Sequence, residues 1–110
     1  MFVERMTQRV KDGKWRELKE LEKRYDTLEE QLGGFPPKRR YWSDFGGLDW
    51  GTFVWEREWE SLAAMEAAEA KYWADPELAE TMRKLGSEGR EIFGSVKHEL
   101  YRLWSEDTQE

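Results

Sequence analysis

Candidate proton-transfer groups are the first feature of this sequence with chemical meaning. His98 is its only histidine. An imidazole changes charge close to neutral pH, which suits a general base or a heme ligand. The other interpretation is a structural one, in which a strand histidine packs under a helix or at the edge of a sheet. The sequence leaves both interpretations open.

A set of alternating charged residues is the second candidate. Glu56 and Glu58 point to the same side of a predicted strand. Carboxylates that lie close together in a partly dry space have raised pKa values, which suits a proton shuttle near neutral pH. The cations expected near them across the sheet are Arg5, Arg9 and Lys97. A further glutamate, Glu99, is expected on the same face. The alternative role for the whole set is a structural ion-pair network at a dimer interface.

Aromatic side chains form the third candidate set, because they can line a cleft for a flat aromatic ligand. The residues in question are Tyr41, Trp42, Tyr72, Trp73 and Tyr101. The alternative is that they are ordinary core and interface aromatics. Residues 38–40, Lys-Arg-Arg, are interpreted as the solvated start of an edge strand rather than as an anion site.

The bulk composition excludes several function classes. The chain has 110 residues, a formal net charge of -6 and no cysteine. An acidic chain is poorly suited to binding a phosphate backbone, because both are negatively charged, so no nucleic-acid partner is expected. The absence of cysteine removes thiol nucleophiles and the usual structural zinc ligands, and no metal site is expected. No apolar run approaches a membrane span, and the first residues form no apolar signal region, so a cytoplasmic protein without a membrane partner is expected.

Hydrophobic periodicity then predicts the elements that must position these groups. Alternation predicts four strands, at residues 2–10, 38–45, 52–60 and 91–104. Spacings of three and four residues predict helices at 15–32 and 62–74. Between the second and third strands, residues 46–51 predict a hairpin turn.

A further helical piece is predicted after the second helix. Asp75 is a good N-cap and Pro76 suits the first helical position, while Gly86 is expected to end the piece. The order is β-α-β-β-α-β, which is the ferredoxin-like α+β motif. We therefore predict one domain over residues 1–104, followed by an acidic tail at 105–110.

The predicted four-stranded antiparallel sheet carries its helices on one face and leaves the other face open. Strand parity places the large aromatics under the helices, with Ile92, Val96, His98 and Leu100 from the last strand. It places Glu56 and Glu58 on the open face with Phe93, Ser95, Lys97, Glu99 and Tyr101. A mixed apolar and ionic face of this kind suits a second copy across a two-fold axis.

With the elements placed, residues 53–78 resemble the signature of NIPSNAP-like proteins in the dimeric α+β barrel superfamily. Trp55 and Trp59 stand where that signature ends a strand in aromatics, and Ser61 and Leu62 open the helix. The sequence Asp75-Pro76-Glu77 marks the break after Trp73. The chain departs from these relatives on the third strand, where many of them carry a histidine and this chain has none.

The resemblance implies a homodimer whose two sheets face each other as a barrel. The superfamily includes cofactor-free monooxygenases, heme-degrading and chlorite-consuming heme enzymes, aldoxime dehydratases and many members without known activity, so the fold alone does not set the chemistry. Heme-binding relatives use a helix-borne ligand, whereas His98 lies in a predicted strand, so no cofactor is expected.

Together these observations predict a protein that binds a small apolar or aromatic molecule in a cleft between sheet and helices. The rival prediction is a cofactor-independent monooxygenase or isomerase acting on an aromatic or polycyclic compound, with Glu56, Glu58 or His98 moving a proton. A third alternative is a purely structural interaction module with a filled interior.

Overall fold

The fold is a four-stranded antiparallel sheet with helices packed on one face. The computed structural model describes residues 1–43 and 51–104. In chain order the elements are β1 (Phe2–Val10), α1 (Trp15–Leu32), β2 (Arg39–Trp42), β3 (Thr52–Trp59), α2 (Leu62–Ala70), a 3-10 turn (Lys71–Trp73), α3 (Pro76–Ile92) and β4 (Phe93–Arg102). The strands lie in the order β2-β3-β1-β4, and every neighbouring pair is antiparallel. This arrangement confirms the predicted ferredoxin-like α+β fold.

The core occupies the space between the helices and the central strands. Its buried residues come from β1, α1, β3 and α3 and are Val10, Leu18, Leu21, Phe53, Trp55, Leu85 and Ile92. A second, smaller cluster joins Trp59 to Met65 and Ala68 of α2, with Phe35 packed against it. No helix in residues 1–43 and 51–104 is both long and apolar enough to cross a membrane.

Helix α1 has the bounds that its apolar stripe predicts. It ends at Gly33, whose φ of 74° lies in the left-handed region where a side chain is disfavoured. The Lys71 ammonium donates to the carbonyls of Leu32 and Gly33 at 3.2 and 3.0 Å. A cation at this position satisfies the free carbonyls of the helix C-terminus and complements its dipole.

Helix α2 is shorter than predicted, and the N-caps of α2 and α3, Ser61 and Asp75, act as expected. Ser61 accepts a hydrogen bond from the Ala64 backbone N–H at 3.1 Å, and Asp75 accepts one from that of Leu78 at 2.8 Å. Between α2 and α3 the chain tightens into the 3-10 turn, which allows α3 to start in a new direction.

Helix α3 does not end at Gly86, and that prediction was wrong. The helix continues to Ile92. Gly86 keeps an ordinary helical conformation, and both Leu85 and Ile92 are buried in the core. A glycine inside a helix costs only about 1 kcal/mol relative to alanine. Burial of two large aliphatic side chains on either side of it outweighs that cost.

The start of β4 also differs from prediction. Ile92 is the last residue of α3 rather than a strand residue, although it lies under the helices as expected. Phe93 was predicted on the open face but packs against the core. A register shift at Arg9 and Val10 pairs Val10 with Phe93, and such an irregularity re-aims the side chains beside it.

Beyond that irregularity, strand parity agrees with prediction, but the helices do not cover Val96 and Leu100 as expected, since these side chains on β4 are 54% and 43% exposed. Glu58, Glu56 and Val54 of β3 lie opposite Val3, Arg5 and Thr7 of β1 on the open face. His98 lies opposite Met6 on the helix-facing side. The predicted strand residues 44 and 45, the turn residues 46–50 and the predicted acidic tail at 105–110 lie outside the described residues.

Candidate functional site

Charged residues are buried on the helix-facing side of the sheet. Arg57 of β3 lies between two glutamates: its Nε donates to Glu4 Oε1 at 3.1 Å, and its Nη1 donates to Glu29 Oε1 at 2.8 Å. All three residues are more than 90% buried. Buried charges are stable only when they are paired and hydrogen-bonded. We call Glu4, Glu29 and Arg57 the buried charge network.

Neutral side chains and one imidazole complete the bonding of this network. The Trp59 indole donates to Glu4 Oε1 at 2.9 Å, and the Tyr72 hydroxyl donates to Glu29 Oε2. The His98 Nε2 lies 2.8 Å from Glu4 Oε2. Each carboxylate oxygen of Glu4 and Glu29 therefore has at least one partner, which is the condition for burying these polar atoms inside the protein.

The surroundings move the pKa values of two carboxyl groups, those of Glu4 and Glu69, in opposite directions. Burial acts to raise the pKa of Glu4, but the hydrogen bond from Trp59 and the charge of Arg57 outweigh it, so the pKa is lowered. Glu69, on α2, has its pKa raised by burial and by the negative charge of Glu4. Two carboxyl groups with opposite shifts can divide the roles of fixed anion and proton carrier.

An open cleft of about 640 Å³ reaches this network between the sheet and α3. Its apolar walls include Met6, Tyr25, Trp55, Tyr72, Met82 and Phe93, and its polar lining includes Glu4, Lys38, Arg57, Glu69 and His98. The volume and the pairing of apolar walls with a few polar groups are typical of sites for small molecules.

Glycines keep part of this cleft open. Gly86, Gly89 and Gly94 all line it. A Cβ at Gly86 would meet no atom within 4 Å, whereas one at Gly89 would touch the Phe93 ring at 3.7 Å. At Gly86 and Gly89, helix α3 therefore presents only its backbone to the cleft. A larger residue at these positions would place its side chain in the cleft.

A larger groove, of about 740 Å³, runs between α1 and α3. Its polar lining is exposed, and it contains the solvent-facing pair of Arg24 and Glu88, whose atoms are 2.7 Å apart. Exposed pairs of this kind contribute little energy and offer little specificity. The sheet-helix cleft is therefore the stronger candidate site.

Two of the residues predicted from sequence meet in this cleft, namely His98 and Tyr72. The His98 side chain is about 44% exposed, and Glu4 fixes it through one ring nitrogen. Such a carboxylate contact orients an imidazole and leaves its other nitrogen for a ligand. The structure gives His98 a position from which a general base could act, and the role itself stays a prediction.

Glu56 and Glu58 lie on the opposite face of the sheet. Glu56 Oε2 accepts from Arg5 Nε at 2.7 Å, and Arg39 pairs with Glu56 and Glu58 at 3.6 and 3.5 Å. Although burial acts to raise the pKa of Glu56, Arg5 outweighs burial and the pKa is lowered. This shift is opposite to the one that a proton shuttle would need, and the geometry of Glu56 is that of the alternative, an ion-pair network.

The five predicted ligand aromatics do not form one cleft. Tyr41 donates to Glu56 at 3.3 Å and Tyr101 donates to Glu99, both on the open face. Trp42 lies against Trp15, with ring centroids 4.0 Å apart, and Trp73 is 56% exposed. Of the set, only Tyr72 reaches the sheet-helix cleft.

The sequence analysis missed Glu4, Glu29, Arg57 and Lys38. A signal for Arg57 and Glu29 was present: Arg57 alternates in phase with Trp55 and Trp59, and Glu29 falls four residues after Tyr25 in the apolar stripe of α1. A charged residue whose spacing places it on a buried face indicates either that the buried face ends there or that the charge is paired with an oppositely charged residue. Identifying the partner needs the tertiary structure.

Comparison with solved structures extends the fold assignment. A NIPSNAP domain protein from Burkholderia xenovorans superposes with a TM-score of 0.70, 16% identity and full coverage of both chains. A NIPSNAP family protein from Agrobacterium tumefaciens gives a TM-score of 0.70 and 16% identity, covering 97% of this chain and 88% of its own. An antibiotic biosynthesis monooxygenase gives 0.67 and 14% identity, covering 96% of this chain and 100% of its own.

Sequence comparison adds no closer relative, since no protein-family model matches and a search of curated proteins finds no significant match. Identities this low establish shared architecture and leave activity open. The chain is thus NIPSNAP-like in fold, with a ferredoxin-like architecture that the monooxygenase structure also has.

Proposed function

We propose that this protein binds a small, mostly apolar or aromatic molecule in the sheet-helix cleft. The observation that carries the proposal is the cleft itself, about 640 Å³ of space with aromatic and methionine walls that ends on a fixed set of charges. Apolar walls supply affinity, and the polar groups at one end select the orientation of the ligand. A purely structural module would gain stability by filling this space.

A glycine on the cleft wall gives the test. We expect wild-type protein to bind 2-naphthol, a flat apolar probe with one hydroxyl, and Gly86→Phe to weaken binding about tenfold or more by filling the space. Gly86→Ala is the matched control, because an added Cβ there meets open space. Calorimetric titration gives the dissociation constants.

A second control places the same bulky residue elsewhere on α3. Glu91→Phe adds a phenyl ring at an exposed position outside the cleft, so it should leave naphthol binding unchanged. Equal affinity of Gly86→Phe and wild type would show that the probe binds somewhere else. Absence of binding by wild type would remove the support for this ligand class.

The contact between His98 and Glu4 favours a second candidate, a cofactor-independent monooxygenase. Glu4 holds the imidazole at 2.8 Å from inside the protein, and the cleft surrounds both groups. An oriented imidazole at a cleft wall can take a proton from a bound phenol, and the resulting anion is electron-rich enough to react with oxygen. In this reading Glu4 positions the ring and His98 touches the substrate.

Oxygen consumption tests this candidate. With anthrone, a tricyclic ketone whose enol tautomer is a phenol, we expect wild-type protein to consume oxygen and His98→Gln to be slower by about 10²–10⁴-fold. Naphthol binding should persist in His98→Gln, because the cleft walls are intact. If wild-type protein leaves the spontaneous rate of oxygen uptake unchanged, the enzyme candidate fails while the binding proposal stands.

We also propose that the open face of the sheet pairs with a second copy of the chain. The described residues leave this face uncovered, and it carries Val3 and the half-exposed rings of Tyr41 and Tyr101 among ion pairs. One of these pairs joins Arg5 to Glu56 at 2.6 Å, so part of the charge on this face is already balanced within one chain. A face that mixes apolar groups with internally neutralised ion pairs suits self-association.

A charge placed in the middle of this face should separate the two copies. Thr7 lies on the open face, with Val54 opposite it on β3 and Lys97 on β4. Thr7→Arg would bury an unpaired cation in the dimer, so we expect the dimer dissociation constant to rise by about 30-fold or more. Thr81→Arg, at an exposed site on α3, is the matched control. Sedimentation velocity measures both, and a monomeric wild type would contradict the proposal.

A further inference from the structure

Lys38 is a buried lysine in the wall of the candidate cleft. It lies in the segment between α1 and β2, and its side chain is only 5% exposed. The sequence predicts a solvated residue here, and that expectation was wrong. The reason is tertiary: Lys38 lies over the Trp55 ring, with Nζ 4.5 Å from the centroid, and 5.7 Å from that of Tyr25.

The Lys38 amine lacks the hydrogen bonds that buried ammonium groups normally make. The carboxylates of Glu29 and Glu22 are 3.9 and 4.0 Å from Nζ, which is too far for hydrogen bonds. Within residues 1–43 and 51–104 the Lys38 amine forms no hydrogen bond at all, because these carboxylates bond elsewhere: Arg40 to Glu22, and Arg57 and Tyr72 to Glu29.

Burial in the cleft wall also weakens the hold of Lys38 on its proton. Burial lowers the pKa of Lys38, the glutamates Glu22 and Glu29 oppose that shift, and the cations Arg57 and Arg40 add to it, so that the pKa is lowered overall. A lysine that loses its proton more readily is a better nucleophile, and desolvation in an apolar pocket is a known way to activate one.

We propose that Lys38 is a nucleophilic amine that forms an imine with an aldehyde or ketone bound in the sheet-helix cleft. This inference rests on the proposed function, because the apolar part of the carbonyl compound would occupy the space proposed for the small apolar ligand. The ligand class is thereby narrowed to aromatic or apolar carbonyl compounds.

The reaction is a condensation without oxidation or reduction. The nitrogen lone pair of neutral Lys38 attacks the carbonyl carbon, a carbon-nitrogen bond forms, and the oxygen takes up a proton. The carbon-oxygen bond then breaks, and the oxygen leaves as water with the two protons that the nitrogen has lost. Those protons pass from the nitrogen to the departing oxygen through water, which the open cleft admits.

Reductive trapping tests the inference with 2-naphthaldehyde, the carbonyl counterpart of the naphthol probe. Sodium cyanoborohydride reduces an imine to a stable secondary amine, and peptide mass spectrometry locates the naphthylmethyl group. At neutral pH and limiting aldehyde, we expect Lys38 to be labelled at least about tenfold faster than any exposed lysine, because the cleft holds the aldehyde beside its amine. The exposed comparison lysines are Lys19, Lys23, Lys84 and Lys97.

Two arginine variants provide the controls. Lys38→Arg keeps the positive charge over Trp55 but has no amine that can form an imine, so fast labelling should disappear. Lys71→Arg removes a lysine whose amine is already bonded to the carbonyls of Leu32 and Gly33, and fast labelling should persist. The comparison among lysines in wild-type protein needs no variant, so it holds even where a variant fails to fold.

The outcomes separate this inference from the proposed function. Labelling of Lys38 no faster than of exposed lysines, in protein that binds 2-naphthol, overturns the imine and leaves the binding function intact. Loss of naphthol binding together with slow labelling overturns both. Fast labelling at Lys38 that excess 2-naphthol suppresses supports both, since the two probes then compete for one cleft.

Discussion

Replacing Arg57 by methionine is expected to lower the free energy of unfolding by about 3–5 kcal/mol, because two buried carboxylates would lose their common cation. Glu4 and Glu29 are both within hydrogen-bonding distance of the guanidinium, and all three side chains are shielded from water. Methionine fills much of the space that the arginine stem occupies, so the loss is assigned to charge. Urea denaturation at pH 7 measures the effect.

An exposed ion pair provides the control. Arg83 donates to Glu80 at 2.9 Å on the surface of α3, and Arg83→Met should cost no more than about 1 kcal/mol. Adding Glu4→Gln to the Arg57 variant should recover part of the lost stability, because one of the stranded charges is then neutral. A loss below about 1 kcal/mol in Arg57→Met would contradict the network as described.

The difference in unfolding free energy between wild type and Arg57→Met should depend on pH. Because the pKa of Glu4 is lowered in the folded protein, its ion pair stabilises the fold above the ordinary glutamate value of 4.5 and loses that effect as the pH falls through the folded value. The gap in stability between wild type and Arg57→Met should therefore narrow below pH 4.5. A gap that stays constant down to pH 3 would point to packing instead of charge.

Trp59→Ala is expected to have a comparable effect, a loss of about 3–5 kcal/mol, for a different reason. Trp59 is 1% exposed and packs with Met65, Ala68 and Phe35. Its removal leaves a cavity under α2 and deprives Glu4 of the indole hydrogen bond at 2.9 Å. Urea denaturation again measures the change.

Two further variants separate packing from hydrogen bonding at this position. Trp59→Phe keeps much of the apolar contact but leaves Glu4 without one donor, so it should cost about 1–3 kcal/mol. Trp104→Ala removes a tryptophan that is 84% exposed and should change stability by less than about 0.5 kcal/mol. A tolerated Trp59→Ala would show that α2 closes over the gap.

If both losses are observed, the buried charge network has a structural and a functional consequence. It holds Glu4 as a fixed anion at the inner end of the cleft, where Glu4 in turn fixes His98. The free energy that stabilises the network thus also orders the polar end of the proposed ligand site. Variants of Arg57 should accordingly be checked for naphthol binding as well as for stability.

Local periodicity was sufficient to predict the bounds of β1 and α1 and nearly all of β3. Each of these elements repeats its apolar residues with the period of its own backbone, so the repeat identifies both the element and its buried face. The same parity placed His98 on the helix-facing side of the sheet and Glu56 on the open face, as the structure confirms. The sequence by itself thus determined the sheet, its two faces and the side that the helices cover.

Only the tertiary structure decided what happens to polar groups on the buried face. Arg57 and Glu4 are 53 positions apart, and Lys38 is covered by rings from α1 and β3. The burial of a charge depends on partners from distant segments, which local spacing does not encode. The continuation of α3 through Gly86 has the same cause: contacts of Leu85 and Ile92 with the core outweigh a local preference of about 1 kcal/mol.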